Sequence, residues 1–313
     1  MIHGTLTRLQ RAHAGHTQDG GVNVTSCRHS PLRMQNSESL VKLEALIEEC
    51  VPLLRRVGYG RCAICIGGSY AKGLADEHSD VDFRVFADGF EGYPQYWLSE
   101  QWKAFEKAVT SWEEKGINID DCWLRQIGDV EAELDRWFEG KGETKALTWT
   151  IWGYQFLSDI ENQFVLEDPN GIVSGWKKRL NEYPLRLQER ILEKHLRSLN
   201  YWVEDYHYKN KVLRKDFPFT AGLASKLIHE MIQIVFALNQ KFYPGDGNNL
   251  SYTKGFEIKP ENFEERIKLC LYPRSESETL GFQYDQVTAL AKEVISIARR
   301  EKEAKHNKRL YLT

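Results

Sequence analysis

Residues 67–83 read GGSYAKGLADEHSDVDF and join two apolar segments. The run opens with two glycines and a serine, and it closes with Ser-Asp-Val-Asp-Phe, in which two carboxylates stand two positions apart. The apolar segment RCAICI precedes it and RVFA follows it. This order predicts a strand, a glycine-rich turn, and a second strand whose first residues carry the acids.

The two carboxylates belong to Asp80 and Asp82. Because successive side chains of a strand point to opposite faces, these two acids share one face while Val81 and Phe83 point to the core. Two carboxylates on one face repel each other unless a cation lies between them, and oxygen ligands favour Mg²⁺ over softer metals. The spacing therefore predicts a divalent-cation site.

The start of the run has the composition of an anion-binding turn. Gly67 and Gly68 allow backbone N–H groups to approach an anion closely, and Ser69 adds a hydroxyl donor. Lys72, in the same run, is either a further phosphate ligand or an exposed loop lysine. Ser79, directly before the acids, is a further nucleotide-binding candidate. A Gly-Gly-Ser or an Asp-x-Asp alone is weak evidence, and their combination at this spacing is much more specific.

The rest of the chain predicts an α+β fold. Helical and strand patterns alternate from residue 37 to about 138, which is typical of a sheet with flanking helices. Past residue 180, three segments carry apolar residues at three- and four-residue steps, and a helical bundle is their natural packing. We therefore expect a tail or leader over 1–33, a mixed-sheet domain over 34–170 and a helical domain over 171–313.

Composition restricts the kinds of partner that the protein can bind. The chain has 313 residues and a formal net charge of −3, which provides no basic surface for a polynucleotide. We find no signal-peptide pattern and no apolar run of the roughly 20 residues that a membrane helix needs. We expect a cytoplasmic protein that binds neither nucleic acid nor membrane.

The segment ICIGGSYAKGLADEHSDVDFRVF, residues 64–86, resembles the signature of the DNA polymerase β-like nucleotidyltransferase superfamily. It looks most like the bacterial branch that contains the aminoglycoside and lincosamide adenylyltransferases. The resemblance implies that Asp80 and Asp82 hold Mg²⁺ and that Gly68 and Ser69 bind the triphosphate of ATP or another nucleoside triphosphate. A nucleoside monophosphate would then pass to a hydroxyl of a small molecule, with pyrophosphate leaving.

The superfamily usually adds a third carboxylate from a neighbouring strand. Asp120 and Asp121 are adjacent in INIDDCWLRQI, so they point to opposite faces and only one can join the site. The stretch from Asp121 to Ile127 resembles a D-x-x-x-R-x-I pattern of a subgroup with a DUF4037-like helical tail. On that resemblance we expect Asp121, although strand alternation alone does not exclude Asp120.

The likeness to that subgroup continues into the second half. Residues 153–172 resemble its domain-linking hairpin, and VFALNQKFYPGDGNN, residues 235–249, resembles a Leu-Asn…Pro-Gly segment of its helical domain. The subgroup usually carries a basic residue soon after Pro-Gly, where this chain has Gly-Asn-Asn.

Three functions fit these observations. The first is a Mg²⁺-dependent transfer of AMP, or another nucleotide, to a small molecule such as an aminoglycoside-type antibiotic. The second is the adenylylation of a protein, as in nucleotidyltransferase-type antitoxins, which are typically much shorter chains. The third is a nucleotide-binding protein without catalysis, which the intact Asp80, Asp82 and Ser69 argue against.

Overall fold

A computed structural model describes most of the chain, namely residues 37–148, 150–245, 247, 249–271 and 279–310. Within these ranges the side chains of residues 37–39, 121, 279 and 306–310 lie outside the description. The tail predicted over residues 1–33 lies outside the described residues.

The first half alternates helices and strands, as the sequence predicts. In chain order its elements are α1 Ser37–Leu54, β1 Gly58–Ile66, α2 Gly68–Ala71, β2 Val81–Phe90, α3 Glu100–Glu114, β3 Ile119–Gln126, α4 Ile127–Phe138, α5 Phe156–Asn162 and β4 Phe164–Glu167. A single 3₁₀ turn, Tyr96–Leu98, precedes α3.

The four strands form one mixed sheet in the order β3-β2-β1-β4. Strand β1 pairs antiparallel with both β2 and β4, whereas β2 and β3 run parallel. The β2–β3 register pairs Asp82 with Asp120 and Arg84 with Trp123, so β3 carries one extra residue between these pairs, as in a β-bulge. The acids at the start of β2 consequently lie beside the start of β3.

Apolar side chains cover both faces of the sheet. On one face, Phe83 and Val85 of β2 pack with α1 and α3. On the other face, Phe86 packs with α4 and α5, and its ring meets that of Trp176 edge-on at 5.1 Å. This burial on both sides explains why three consecutive apolar residues, Val85 to Ala87, follow the alternating polar and apolar residues at the start of β2.

The second half is helical, as predicted. Its elements are α6 Ile172–Leu180, α7 Leu185–Glu204, α8 Tyr206–Leu213, α9 Phe217–Leu238, α10 Asn249–Thr253, α11 Phe263–Leu271 and α12 Thr279–Leu310. Helices α7, α8, α9, α11 and α12 share one core, with α9 at its centre. The fold class is therefore confirmed: a mixed sheet with flanking helices, followed by a helical region.

Helix α9 differs from the expectation that no segment could cross a membrane. Among the described helices, α9 is the one that is long enough and apolar enough to cross a membrane. However, 72% of its 18-residue apolar window is buried inside the protein. The core helix of a soluble bundle has the same length and composition, so this helix is weak evidence for a membrane span.

Helix α6 joins the two halves. Its residues Ile172, Val173 and Trp176 pack into the same core as Phe86 of the sheet. The apolar packing of the first domain therefore continues past residue 170, where the sequence predicts the domain boundary.

Candidate active site

The glycine turn and the carboxylate strand are packed against each other without spare space. The Gly67 N–H donates a 2.8 Å hydrogen bond to the Asp82 carbonyl. A Cβ on Gly67 would lie 3.1 to 3.3 Å from the guanidinium of Arg84, and one on Gly68 would lie 1.7 Å from Asp82 Oδ2. Gly68 also has φ +58°, in the left-handed region that favours glycine. Gly68 is therefore needed where the turn meets the acids, whereas a side chain at Gly67 would require Arg84 to move by a few tenths of an ångström.

Ser69 carries a buried hydroxyl for which the structure shows no hydrogen-bond partner. Buried polar groups are nearly always paired, so an orphaned donor beside a glycine turn indicates a group that a ligand completes. This matches the prediction of Ser69 as a phosphate ligand, which stays a prediction.

Ser79 belongs to a small hydrogen-bonded turn. Its hydroxyl donates to Asp76 Oδ1 at 3.0 Å and accepts from the Asp76 N–H at 2.9 Å. The side chain therefore holds the loop that leads into Asp80, and its predicted contact with nucleotide remains a prediction.

Asp80 and Asp82 occupy different environments. Asp80 is exposed just before β2, whereas Asp82 is buried, with a relative exposure of 9%. Burial raises the pKa of Asp82, the negative charges of Asp80 and Asp120 raise it further, and Arg84 lowers it in part. The ionised form of Asp82 is thus less favourable than in water even with Arg84 beside it, and a bound cation would favour that form.

The strand register favours Asp120 as the third acid. Residues directly opposite in neighbouring strands point to the same face, and Asp120 lies opposite Asp82. Cys122 points to the other face, where it joins the core of Phe83. Asp121, expected from the sequence, lies on β3, but its side chain is outside the description.

Arg84 links the carboxylates and was not expected from the sequence. Its Nη2 donates to Asp82 Oδ1 at 3.2 Å, and its Nε lies 3.8 Å from Asp159 Oδ1. The guanidinium also lies 4.7 Å from the centre of the Trp123 ring. Arg84 follows Asp82 by two positions on a strand, and that spacing was the available signal for a shared face.

Asp159 brings α5 into the site. Its Oδ2 accepts a 2.6 Å hydrogen bond from the Tyr154 hydroxyl, and its Oδ1 faces Arg84. Both residues lie in the segment that resembles a linking hairpin, where the sequence assigned no role to either side chain.

Lys72 connects the glycine turn to the second half of the chain. Its Nζ donates a 3.2 Å hydrogen bond to the Pro244 carbonyl. Burial lowers the pKa of Lys72, and the charges of Asp159 and Asp82 offset part of that effect. Lys72 is therefore a half-buried cation beside the acids and not an exposed loop lysine, and its phosphate-binding role stays a prediction.

Comparison with known families agrees with this geometry. Residues 48–167 match the family described as nucleotidyltransferase domain, and this segment includes the glycine turn, Asp80, Asp82 and Asp120. The chain contains a nucleotidyltransferase domain. Residues 149–247 match a domain of unknown function, DUF4037, as the resemblance of the helical tail implies. No curated protein matches the chain.

The enzyme is therefore a nucleotidyltransferase, and a nucleoside triphosphate is its co-substrate. The two matched segments overlap at residues 149–167, which contain α5 and Asp159. In this nucleotidyltransferase the linking segment is thus part of the candidate site and not only a connection.

Other candidates of the nucleotidyltransferase are engaged elsewhere. Arg125 pairs with Glu133 at 2.8 Å. Three glutamates that could act as a base for an acceptor hydroxyl have other partners: Glu100 pairs with Lys103, Glu106 accepts from the Trp102 indole, and Glu230 bonds to His195 and Lys226. No described contact brings any of the three to Asp82.

The carboxylates of the nucleotidyltransferase site could hold Mg²⁺ only together with other ligands. Among the side chains that are described, no three His, Cys, Asp or Glu residues are arranged to hold a metal by themselves. Mg²⁺ commonly uses only one or two protein carboxylates and completes its shell with water and substrate phosphates. The raised pKa of Asp82, with Asp80 and Asp120 among its causes, fits a cation that arrives with the triphosphate.

Proposed function

We propose that this enzyme transfers a nucleoside monophosphate, with AMP as the first candidate, from a triphosphate to a hydroxyl of a small molecule in a Mg²⁺-dependent reaction. The observation that carries the proposal is the contact between the glycine turn and Asp82. Asp82, whose pKa is raised, touches the turn that carries the unpartnered Ser69 hydroxyl, and this supports a phosphate and a cation bound side by side.

Each residue of the site has a role that its environment supports. The Ser69 hydroxyl would donate to a phosphate oxygen and thereby gain the partner that it lacks. The Lys72 ammonium would face the same phosphates, with its position fixed by the Pro244 carbonyl. Because both groups are held before substrate binds, they would orient the triphosphate without a large loss of conformational entropy.

The acids would hold the cation. Asp80 and Asp82 are the proposed Mg²⁺ ligands, and we propose Asp120 in place of Asp121 as the third acid because of its register with Asp82. Bound Mg²⁺ would neutralise charge on the reacting phosphate. Arg84 would hold the Asp82 carboxylate in place and limit the repulsion among the acids.

The acceptor class is a further part of the proposal. We propose a small molecule, and aminoglycoside-type antibiotics are one class to test because of the resemblance in residues 64–86. We also propose that the enzyme works in the cytoplasm and does not bind nucleic acid, since its net charge is −3.

The test uses purified enzyme, Mg²⁺ and each α-labelled triphosphate in turn. The acceptors are aminoglycosides, lincosamides, sugars and a protein lysate. The expected result is label on a small molecule with release of pyrophosphate, lost when Mg²⁺ is withheld. Label on a protein would replace the small-molecule proposal with protein adenylylation. Triphosphate binding without pyrophosphate release for every acceptor would contradict the proposed transfer.

A further inference from the structure

A second cavity, of about 650 Å³, lies between α5, the segment around residues 137–144 and helices α7 and α9. None of residues 67–82 lines it, although its lining includes Ser158 and Tyr243, the chain neighbours of Asp159 and Pro244. No part of the proposed nucleotide transfer uses this cavity.

Flat aromatic surfaces form part of its wall. The Trp152 ring stacks on the His229 ring, with centroids 4.2 Å apart and planes inclined by 6°. Tyr183 and Phe242 form a second stacked pair at 4.9 Å. Walls of this kind pack against the faces of sugar or aromatic rings.

His229 supplies an unused polar group in this wall. Its Nδ1 is buried and has no hydrogen-bond partner. Burial, together with the neighbouring His195, lowers the pKa of His229 to about 3, so the ring is neutral near pH 7. A neutral imidazole nitrogen pairs well with a ligand hydroxyl, because a hydroxyl both donates and accepts.

The charges that line the cavity are mostly positive. Two acids, Glu143 and Glu230, face five cations, which are Lys141, Arg190, Lys194, Lys226 and Lys241.

Glu230 provides little free negative charge. Its carboxylate bonds to both His195 and Lys226. Burial alone would raise the pKa of Glu230, but these hydrogen bonds hold it at about 2. Lys194 and Lys241 are exposed at the edge of the cavity, and neither forms an ion pair with a described residue. Desolvation raises the pKa of Glu161 and the charge of Lys241 offsets part of that rise, so Lys194 is the more available ammonium group.

We propose that this cavity binds a small organic anion, namely a hydroxylated ring that carries a phosphate or a carboxylate. The ring would lie against the aromatic wall, a hydroxyl would pair with His229 Nδ1, and the acidic group would face Lys194 and Lys241. A polycation such as an aminoglycoside has the wrong charge for this cavity. The proposal does not depend on the nucleotide-transfer reaction.

The test is calorimetric titration of the full-length enzyme without Mg²⁺ or nucleotide. The probes are glucose 6-phosphate, glucuronate, glucose and kanamycin. At least one anionic sugar is expected to bind about tenfold more tightly than glucose, because it adds charge-assisted contacts, and kanamycin is expected not to displace that sugar. The two anionic probes distinguish a phosphate from a carboxylate ligand.

Two matched double variants locate the binding. Lys194→Ala with Lys241→Ala is expected to weaken binding of the anionic sugar by about tenfold or more. Lys268→Ala with Lys302→Ala changes the net charge equally at exposed positions outside the cavity, and it is expected to bind as the wild type does. His229→Asn, with its fold checked by circular dichroism, is expected to weaken the binding of the same sugar.

Three results would overturn the proposal. The first is that neither anionic sugar binds, and the second is that both bind no better than glucose. The third is that both lysine pairs have equal effects, which would place the binding elsewhere. Mg²⁺-dependent ATP binding, measured on the same preparations, is expected to survive loss of Lys194 and Lys241, so failure here is distinguishable from failure of the proposed transfer.

Discussion

Gly68 and Asp82 approach each other so closely that no side chain fits between them: a Cβ on Gly68 would lie 1.7 Å from Asp82 Oδ2. The two residues are 14 positions apart, and the contact joins the proposed phosphate turn to the proposed metal ligand. The position of the glycine turn therefore constrains the position of the Asp82 carboxylate.

We expect Gly68→Ala to abolish nucleotide transfer. The methyl group would push the Asp82 carboxylate out of place, and the left-handed backbone would add about 1 kcal/mol of strain or more. Gly73→Ala is the matched control, because Gly73 also has φ +67° but has open space around its Cβ. Both variants should unfold at a lower temperature than the wild type, whereas nucleotide transfer should fail only in Gly68→Ala. Equal activity of the two variants would contradict the contact.

Arg84→Met is expected to lower the free energy of unfolding by about 3 kcal/mol, because it leaves buried carboxylates without their cation. Mg²⁺ with ATP should restore part of this stability, since the metal would supply the missing positive charge. The measurement is the shift in Tm that Mg²⁺–ATP produces.

Arg125→Met is the control for this effect. It breaks a similarly buried pair, Arg125–Glu133, in which Glu133 keeps a second partner in Lys145. Among the described contacts, Arg125 reaches the proposed site only through a 3.4 Å hydrogen bond to the Tyr154 hydroxyl. We expect it to destabilise the protein without a larger Mg²⁺–ATP shift than the wild type shows. An equal shift in both arginine variants would remove the link between Arg84 and the metal.

Asp120→Asn is expected to weaken Mn²⁺–ATP binding by about tenfold, because it removes a negative charge from the face of Asp82. Asp121→Asn, one residue away, should change the affinity by less than about twofold. Electron paramagnetic resonance of Mn²⁺ measures both constants. A larger loss of affinity in Asp121→Asn than in Asp120→Asn would identify Asp121 as the third acid, as the family resemblance implies.

The pH dependence of metal binding follows from the raised pKa of Asp82. A carboxylate whose pKa is raised by folding binds its proton more tightly in the native state, so its ionisation costs stability as pH rises through that pKa. A cation favours the ionised form. Mn²⁺ affinity in the absence of ATP should therefore fall as pH is lowered, beginning clearly above the ordinary Asp value of 3.8. A Mn²⁺ affinity that stays constant down to pH 3.8 would contradict the raised pKa of Asp82.

The sequence was most informative where local patterns determine structure. Alternating polar and apolar residues predicted β2 and the shared direction of its acids, and helical spacing predicted α7, α9 and α12 of the bundle. These patterns arise from the fixed periods of strands and helices, so no knowledge of distant contacts is needed.

Contacts between distant segments were beyond the sequence. The pairing of Arg84 with Asp159 spans 75 positions, and that of Lys72 with Pro244 spans 172. The choice between Asp120 and Asp121 depends on the register of β3 and its extra residue, which strand alternation alone does not fix. The cavity between α5, α7 and α9 could not be predicted from the sequence, because its lining comes from five separated segments and no short motif marks it.

The central claim is that Asp82 holds a divalent cation with the nucleotide, and Mn²⁺ binding in the presence of ATP tests it without knowledge of the acceptor. Asp82→Asn is compared with Asp88→Asn, which changes an exposed acid on the same strand that pairs with Arg61. The account predicts that Asp82→Asn weakens Mn²⁺–ATP binding by about two orders of magnitude, while Asp88→Asn binds as the wild type does. Unchanged affinity in Asp82→Asn would contradict it.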